Sequence, residues 1–360
     1  MKFWRTIARD TQPNLSSFHL LARIICNRME KVQSVSSKSV RSSLVITVFV
    51  TLLATQFSFG WGKDGHKMIN RVAVETLPTD IPAFMRTPQA LDEIEYLGPE
   101  PDRWRSPAEP ELSAAQAPEH FLDLELADMA TPNGLPARRF DFIRDLYAAQ
   151  ILHPEMAAKL TPQTVGLLPW QANEVFERLK ADMREYRARL AAHTDTYGVE
   201  QAVLYDAGWL GHYVADGSQP LHTTINYNGW VEAENPEGFT REHKIHSQFE
   251  SEFVHNNIKA QDIQPLVPST PRVLDSPFDD FVAYLRATNQ QVPETYRLEK
   301  HGGFNGHGTA QSRSFTIERL VAGAAMLRDM IYTAWVQSAQ PVPDWHDRAP
   351  KNATSSGKPA

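Results

Sequence analysis

Residues 209–222 of the chain read WLGHYVADGSQPLH, and this stretch decides the expected fold. His212 and Asp216 are four positions apart, so on a helix both side chains leave the same face about one turn apart. Pro220 ends that helix and turns His222 back toward it. Apolar residues surround these polar groups, which is unusual for a helix face in water. Buried histidine and carboxylate side chains need partners, and a metal ion is one such partner.

A second stretch, HSQFE at residues 246–250, repeats the same arrangement. His246 and Glu250 are again four positions apart on an expected helix. One such pair alone is most often a solvated surface pair. Two pairs together with His222 supply the nitrogen and oxygen ligands that zinc takes in proteins. The sequence therefore predicts a metal centre held by helices.

Helical periodicity dominates the rest of the chain. Apolar residues recur at helical spacing, alternating strand-type runs are scarce, and clusters of Gly and Pro separate the periodic segments. We expect an all-α fold with one multi-helix domain at 61–339. The tail at 340–360 is rich in Pro, Ser and Lys, and we expect it to be disordered. The predicted helices are 66–77, 140–151, 170–193, 199–215, 245–257, 278–289 and 314–335.

Residues 1–60 have the composition of an upstream segment followed by an export signal. Basic residues precede an apolar run at 44–54, and Ser58 and Gly60 are the small residues of a cleavage site. A start at Met29 would place this signal closer to the N-terminus. The apolar run is short for a membrane span, so an uncleaved anchor is the alternative we favour less. We expect an exported protein, periplasmic or secreted, that begins at Trp61 and has no transmembrane segment after processing.

Charge and cysteine content limit how a site in this chain could work. Residues 1–60 carry eight of the 36 Lys and Arg and two of the 43 Asp and Glu, which leaves 28 basic and 41 acidic residues and a net charge of −13. Lys and Arg normally provide the attraction for nucleic acid, so a phosphate-binding centre here would need metal ions for its positive charge. The only cysteine, Cys26, lies in the segment expected to be removed. Any metal would therefore be bound by His and carboxylate groups.

Five motifs, in this order along the chain, resemble the zinc-dependent phospholipase C and single-strand-specific zinc nuclease superfamily. They are WG at 61–62, GH at 65–66, HFLD at 120–123, HxxxDxxQPLH at 212–222 and HxxxE at 246–250. The resemblance implies an all-helical domain around a trinuclear zinc cluster and an activity that hydrolyses phosphodiester bonds.

Carried over position by position, the resemblance also implies three sets of zinc ligands. Cleavage before Trp61 would free the backbone amine that the third set requires. Asp92 and Glu100 are nearby alternatives to Asp102 in the first set. The implied ligands are Asp102, His120 and His212 for the first zinc; His222, His246 and Glu250 for the second; and, for the third, the Trp61 backbone and His66, with Asp216 bridging to the first zinc.

The implied reaction is attack of a zinc-bound hydroxide on phosphorus, with Asp102 as the catalytic residue that orients the water or accepts its proton. The substrate class stays open. Glu250 and its surroundings resemble the phospholipase branch, the spacing at the start of the domain resembles the nuclease branch, and the long interval between His120 and His212 departs from both. We favour a phospholipase C-like enzyme, with a single-strand-specific endonuclease and 3′-nucleotidase as the alternative.

A non-catalytic, zinc-stabilised exported protein is the alternative from a different class. Structural zinc normally has four protein ligands, often cysteines, whereas the implied sets leave positions open to water. The expected substrates are phospholipid or single-stranded nucleic acid and nucleotide, and no stable protein partner is predicted. The aromatic residues Trp104, Trp230 and Phe304 are candidate contacts for either substrate. The remaining histidines, His243 and His307 among them, are expected to lie outside the site.

Overall fold

The computed structural model describes residues 61–342, which are built from helices and the turns that connect them. Within this range there is no β-strand, and two isolated bridges are the only strand-type pairings. The expected all-α class is therefore confirmed for the described residues. The predicted signal at 1–60 and the part of the predicted tail at 343–360 lie outside them.

Each predicted helix corresponds to an observed one, with ends that differ by a few residues. No helix in the described range combines the length and the hydropathy needed to cross a bilayer. The helices are α1 (Gly62–Glu75), α2 (Pro88–Leu97), α3 (Glu100–Arg103), α4 (Pro110–Gln116), α5 (Leu124–Ala130), α6 (Arg139–Leu152), α7 (Pro162–Val165), α8 (Leu168–Ala191), α9 (Tyr197–Asp216), α10 (Ile245–Ser247), α11 (Val254–Asn257), α12 (Ala260–Ile263), α13 (Pro277–Asn289), α14 (Val292–Lys300) and α15 (Ala310–Gln337).

Helix α9 is the centre of the bundle, and α1, α2, α8 and α15 pack around it. The residues Val203, Ala207, Leu210 and Val214 recur at intervals of three and four, and all are buried. The C-terminal part of α9 is buried on nearly every side, as expected for a helix that is apolar all round. The apolar residues of α9 thus carry its polar C-terminal turns into the core.

Two glycines allow α9 to approach its neighbours closely. A Cβ atom at Gly208 would lie 2.5 Å from the Cβ of Leu97 on α2, and one at Gly211 would lie 2.0 Å from Oδ1 of Asn70 on α1. Asn70 of α1 is fully buried, and its Nδ2 donates to the carbonyl of Gly208 and to a carbonyl of α2, each at 2.9 Å. This junction fixes α1, α2 and α9 together. It also places His66, one turn before Asn70, against His212 on α9, with ring centroids 4.0 Å apart.

The segment predicted as one helix at 245–257 has a different interior from the one expected. Between α10 and α11, residues Gln248–Phe253 form a π-helix, so the run is continuous but its middle turn is wider than an α-helical turn. Phe249 and Phe253 of this π-helix are buried in the core. Short π segments occur frequently at functional sites, and this one carries Glu250.

Candidate metal centre

Eight of the nine residues predicted as metal ligands lie together in the interior. They form three groups, and within each group one ligand atom per residue lies within 4.8 Å of the others. Every member is buried, with at most 5 % of its surface exposed. Because buried ionisable groups of this kind need partners, the groups could hold metal ions. The groups are His66, His212 and Asp216; Asp102, His120 and His212; and His222, His246 and Glu250.

These side chains come from elements far apart in the sequence. Helices α1, α3, α9 and α10 and the π-helix each contribute, together with two short 3₁₀ turns, Ala117–His120 and Pro220–His222. The second turn follows shortly after α9 and turns the chain back, as Pro220 predicts. Because each element is packed in the core, the fold itself brings these ligand atoms together.

Backbone carbonyls hold three of the histidine rings. A carbonyl oxygen can only accept, so the Nδ1 atom of each ring carries the hydrogen, and Nε2 keeps a lone pair when the ring is neutral. Hydrogen bonds of this type orient histidines that bind metals through the other nitrogen. The three pairs are His212 with Gly98 (2.8 Å), His222 with His120 (2.6 Å) and His246 with Tyr227 (2.9 Å).

The group His222, His246 and Glu250 brings three hydrogen-bond acceptor atoms together, with too few hydrogens to form hydrogen bonds among them. The two Nε2 atoms are 3.2 Å apart, and each neutral ring has committed its hydrogen to a carbonyl. Oε2 of Glu250 lies 2.7 Å from His246 Nε2 and 3.7 Å from His222 Nε2. A proton on one ring would satisfy one of these contacts. A metal cation satisfies all three ligand atoms, so the donor set fits a metal ion.

Buried atoms without a hydrogen-bond partner also indicate metal binding in the other two groups. Both ring nitrogens of His66, Nε2 of His120, and Oδ1 of Asp102 and of Asp216 are buried and have no hydrogen-bond partner. A buried polar atom left without a partner costs on the order of 1–3 kcal/mol. Oδ1 of Asp216 is 3.5 Å from His66 Nε2, and its Oδ2 is 3.2 Å from His212 Nε2. Cations between these atoms would satisfy them together.

Burial shifts the ionisation of the cluster toward neutral forms. Burial raises the pKa of Asp102 and of Asp216 to about 7. It lowers the pKa of His212 to about 4 and the pKa of His66 and His120 well below the ordinary value for histidine. The contacts of Asp216 with His66 and His212 are therefore not ordinary ion pairs. Neutral imidazoles are already in the form that binds metal, and a bound cation would favour the ionised carboxylates.

Of the three carboxylates considered at the start of the cluster, the structure brings only Asp102 into it. Asp92 is 75 % exposed, and Glu100 binds the neighbouring Arg103 on the surface of α3. Asp102 is 5 % exposed, and its Oδ1 lies 3.8 Å from His120 Nδ1 and 3.9 Å from His212 Nε2.

Trp61 and the implied third ligand set differ in part from expectation. The Trp61 side chain is fully buried, its Nε1 donates to Ser218 Oγ at 2.6 Å, and its ring meets Phe249 edge to face. Ligation through a free Trp61 amine stays a prediction, since the chain before it lies outside the described residues. The group around His66 also includes His212, which the resemblance assigned to the first set alone.

Arg105 was missed in the sequence because it belongs to none of the motifs. Its Nη1 lies 3.6 Å from Oδ1 of Asp102, and its side chain is 20 % exposed. Burial is the main cause of the raised pKa of Asp102, and the Arg105 charge partly opposes that rise. A guanidinium beside a metal cluster can bind phosphate oxygens.

Gln219 was quoted within a motif but given no role. Its Nε2 donates to Glu250 Oε2 at 3.1 Å and holds that carboxylate in place.

The aromatic candidates and remaining histidines have separate positions. Phe304 is 2 % exposed and packs on Phe249, so it is a core residue and not a substrate contact. Trp230 is half-buried in an aromatic cluster away from the grouped ligands. Trp104, two residues after Asp102, is half-buried with its edge against Trp209. The histidines outside the groups whose side chains are exposed are His193, His243, His255, His301 and His307.

The geometry thus brings together three buried groups of His and carboxylate residues that could hold metal ions, with Arg105 at their edge. Comparison with known proteins adds no assignment: no family model matches the chain, and no curated protein does. The donor set without cysteine suits zinc and other first-row metals that accept nitrogen and oxygen ligands.

Proposed function

We propose that this chain is a zinc-dependent hydrolase of phosphodiester bonds, with zinc ions held by the three groups of His and carboxylate residues. The main observation behind the proposal is the close approach of the ligand atoms of His222, His246 and Glu250. These atoms are hydrogen-bond acceptors, and too few hydrogens lie between them to form hydrogen bonds within the group. Three protein ligands per group would leave coordination positions open, which favours a catalytic role over a structural one.

Zinc bound by these residues would hold phosphate oxygens, lower the pKa of a bound water toward ~7 and neutralise charge on the leaving oxygen. The side chains would divide the remaining tasks. Asp102, whose Oδ1 is buried and free of hydrogen bonds, is suited to accept a proton from the attacking water at that atom. Arg105 would donate to an oxygen of the phosphate, and the carbonyl-bound histidines would keep the ligand atoms fixed.

Export and cleavage before Trp61 belong to the same proposal. A cut after Gly60 would create a free amine at Trp61, the residue that precedes α1. His66, the first histidine of the cluster, follows five positions later in that helix. Mass spectrometry of the isolated exported protein tests this directly. A mass that begins at Trp61 agrees with the proposal, and a retained N-terminal segment contradicts this part of it.

A single-strand-specific nuclease is the second candidate on the same scaffold. Trp104 favours it, because a half-exposed indole two residues from Asp102 could stack on a base. The net charge of −13 for residues 61–360 opposes it, since nucleic acid binding depends strongly on cationic side chains.

A non-catalytic zinc protein is the third possibility. It predicts that chelation unfolds the chain and that the zinc-loaded protein has no hydrolytic activity.

The test compares zinc-loaded and chelated protein on bis(p-nitrophenyl) phosphate, phosphatidylcholine vesicles and single-stranded DNA. We expect cleavage that disappears with the chelator and returns with zinc, together with little change in helical content. Selective cleavage of vesicles or of DNA identifies the branch. Cleavage that persists in the chelator, or no cleavage of any substrate by fully loaded protein, would overturn the proposed function.

A further inference from the structure

Helix α6 is apolar on both of its faces. Its inner residues Phe142, Leu146 and Ala149 are buried, and Phe142 stacks on Trp170 with ring centroids 4.0 Å apart. A helix that is apolar all round normally has all of its surface covered. The other face of α6 is exposed, and we refer to it as the α6 outer face: Phe140, Arg144, Tyr147, Ala148, Ile151 and Leu152.

The α6 outer face exposes large apolar side chains to an unusual extent. Phe140 is 83 % exposed, Ile151 82 %, Leu152 75 % and Tyr147 54 %. Phe140, Tyr147 and Ile151 are seven and four positions apart, which aligns them along one side of the helix, and Leu152 adds an exposed apolar side chain at its last position. Single exposed apolar residues are common, but an aligned group of this kind marks a surface that binds something.

The outer face carries no uncompensated positive charge. Arg144 is its only charged member, and its guanidinium donates to Asp141 at 2.9 Å and to Asp145 at 2.9 and 3.0 Å. Both carboxylates belong to α6 itself, so the arginine is neutralised and one negative charge is left over. A partner that matches this face therefore needs apolar contact and no anionic surface.

We propose that the α6 outer face docks on a lipid surface with zwitterionic headgroups. An amphipathic or apolar helix face that combines Phe, Ile and Leu with Tyr is suited to the boundary between headgroups and acyl chains. The net charge of −13 for residues 61–360 disfavours anionic membranes. A second copy of the chain is a poorer fit, since these side chains offer roughly 500 Å², below the ~800 Å² per partner of a standard interface.

A short chain of contacts joins α6 to the metal centre. Arg139, the first residue of α6, places Nη1 3.3 Å from Oε1 of Glu119, and its Nη2 donates to Gln171 at 2.6 Å. Glu119 directly precedes His120, a member of the cluster. The docking surface is therefore joined by direct contacts to an element of the cluster. Lipid docking itself does not depend on the proposed function.

The experiment is co-sedimentation of the full chain with phosphatidylcholine vesicles. The test variant is Phe140→Ser with Ile151→Ser. The matched control is Leu190→Ser with Val273→Ser, which removes two apolar side chains that are 55 % and 47 % exposed on other elements. We expect the wild-type and control proteins to bind equally, and the test variant to partition at least tenfold less. All three should have the same Tm and the same rate on bis(p-nitrophenyl) phosphate, and binding should persist in a chelator.

Three outcomes would overturn lipid docking. The wild-type protein could stay in the supernatant at millimolar lipid, or the test variant could sediment as the wild type does. The wild-type protein could also be a dimer in sedimentation velocity that the test variant converts to a monomer, which would assign the face to self-association. Vesicle binding without headgroup release would instead count against phospholipid as the substrate of the proposed enzyme and leave the docking surface standing.

Discussion

At the scale of single residues, His212 has a special position because it belongs to two of the three groups. Its Nδ1 is held by the carbonyl of Gly98, so its Nε2 is directed toward both neighbours, His120 Nδ1 at 2.9 Å and Asp216 Oδ2 at 3.2 Å. His246, by comparison, belongs to one group only. The two residues should therefore differ in how many metal ions depend on them.

We predict that His212→Ala reduces the zinc content from three ions per chain to one, because two groups lose a ligand. His246→Ala should reduce it from three to two. His255→Ala is the control: this exposed histidine contacts Asp64 at 2.5 Å outside the groups and should leave the zinc content unchanged. The measurement is metal analysis of purified protein by mass spectrometry. Equal losses for His212→Ala and His246→Ala would contradict the sharing of His212 between groups.

At the scale of elements, the junction of α1, α2 and α9 holds the histidines of two helices side by side. We predict that Gly208→Ala lowers the free energy of unfolding by about 1–3 kcal/mol, because the new methyl group would overlap Leu97. Gly198→Ala, in the same helix but with open space around its α-carbon, should be neutral or stabilising by up to about 1 kcal/mol. Urea unfolding in chelator measures both. A neutral Gly208→Ala would show that α2 can move away from α9.

The elements also show what the sequence could and could not predict. The periodicity of apolar residues was enough to predict the long helices, because it is a local pattern. The spacing of four positions, which is local as well, was enough to predict the pairs His212–Asp216 and His246–Glu250. The π-helix at Gln248–Phe253 could not be predicted, since it depends on packing of the surrounding core. Nor could the role of Arg105, which is defined by its distance from Asp102 in space and not by a motif.

Helix α6 is a different case. Its periodicity predicted a helix at 140–151, and that helix is present. Its sequence could not show which apolar residues face the core and which face outward, because apolar residues occur on both sides. The structure identifies the inner face, because Phe142 stacks on Trp170 there, and the α6 outer face lies opposite.

At the scale of the whole molecule, buried carboxyl groups should make the stability of the metal-free protein depend on pH. Burial raises the pKa of Asp102, Glu119, Asp206 and Asp216 to about 7 and of Asp123 to about 8. The folded protein therefore keeps protons that the unfolded chain has already lost. Unfolding releases them, so rising pH favours unfolding. The histidines with lowered pKa act in the opposite direction, but only below about pH 6.5, where the unfolded chain binds protons.

We predict that the Tm of chelated protein falls by several degrees between pH 6.5 and 8.5, with a slope of at most about 1.4 kcal/mol per pH unit for each group. Zinc-loaded protein should depend less steeply on pH, because the ions keep Asp102 and Asp216 ionised in the folded state. Differential scanning calorimetry at several pH values measures both. A chelated protein whose Tm is constant or rises over this range would show that these carboxyl groups do not hold their protons.

The carbonyl of His120 has a consequence for how the centre fills. His120 offers its ring to one group, while its backbone oxygen holds the ring of His222 in another. Any shift of that residue when an ion binds at its ring moves the acceptor that orients the second ring. We therefore expect an ion bound at one end of the centre to change the zinc affinity of the other end, which a zinc titration would show as a departure from independent binding.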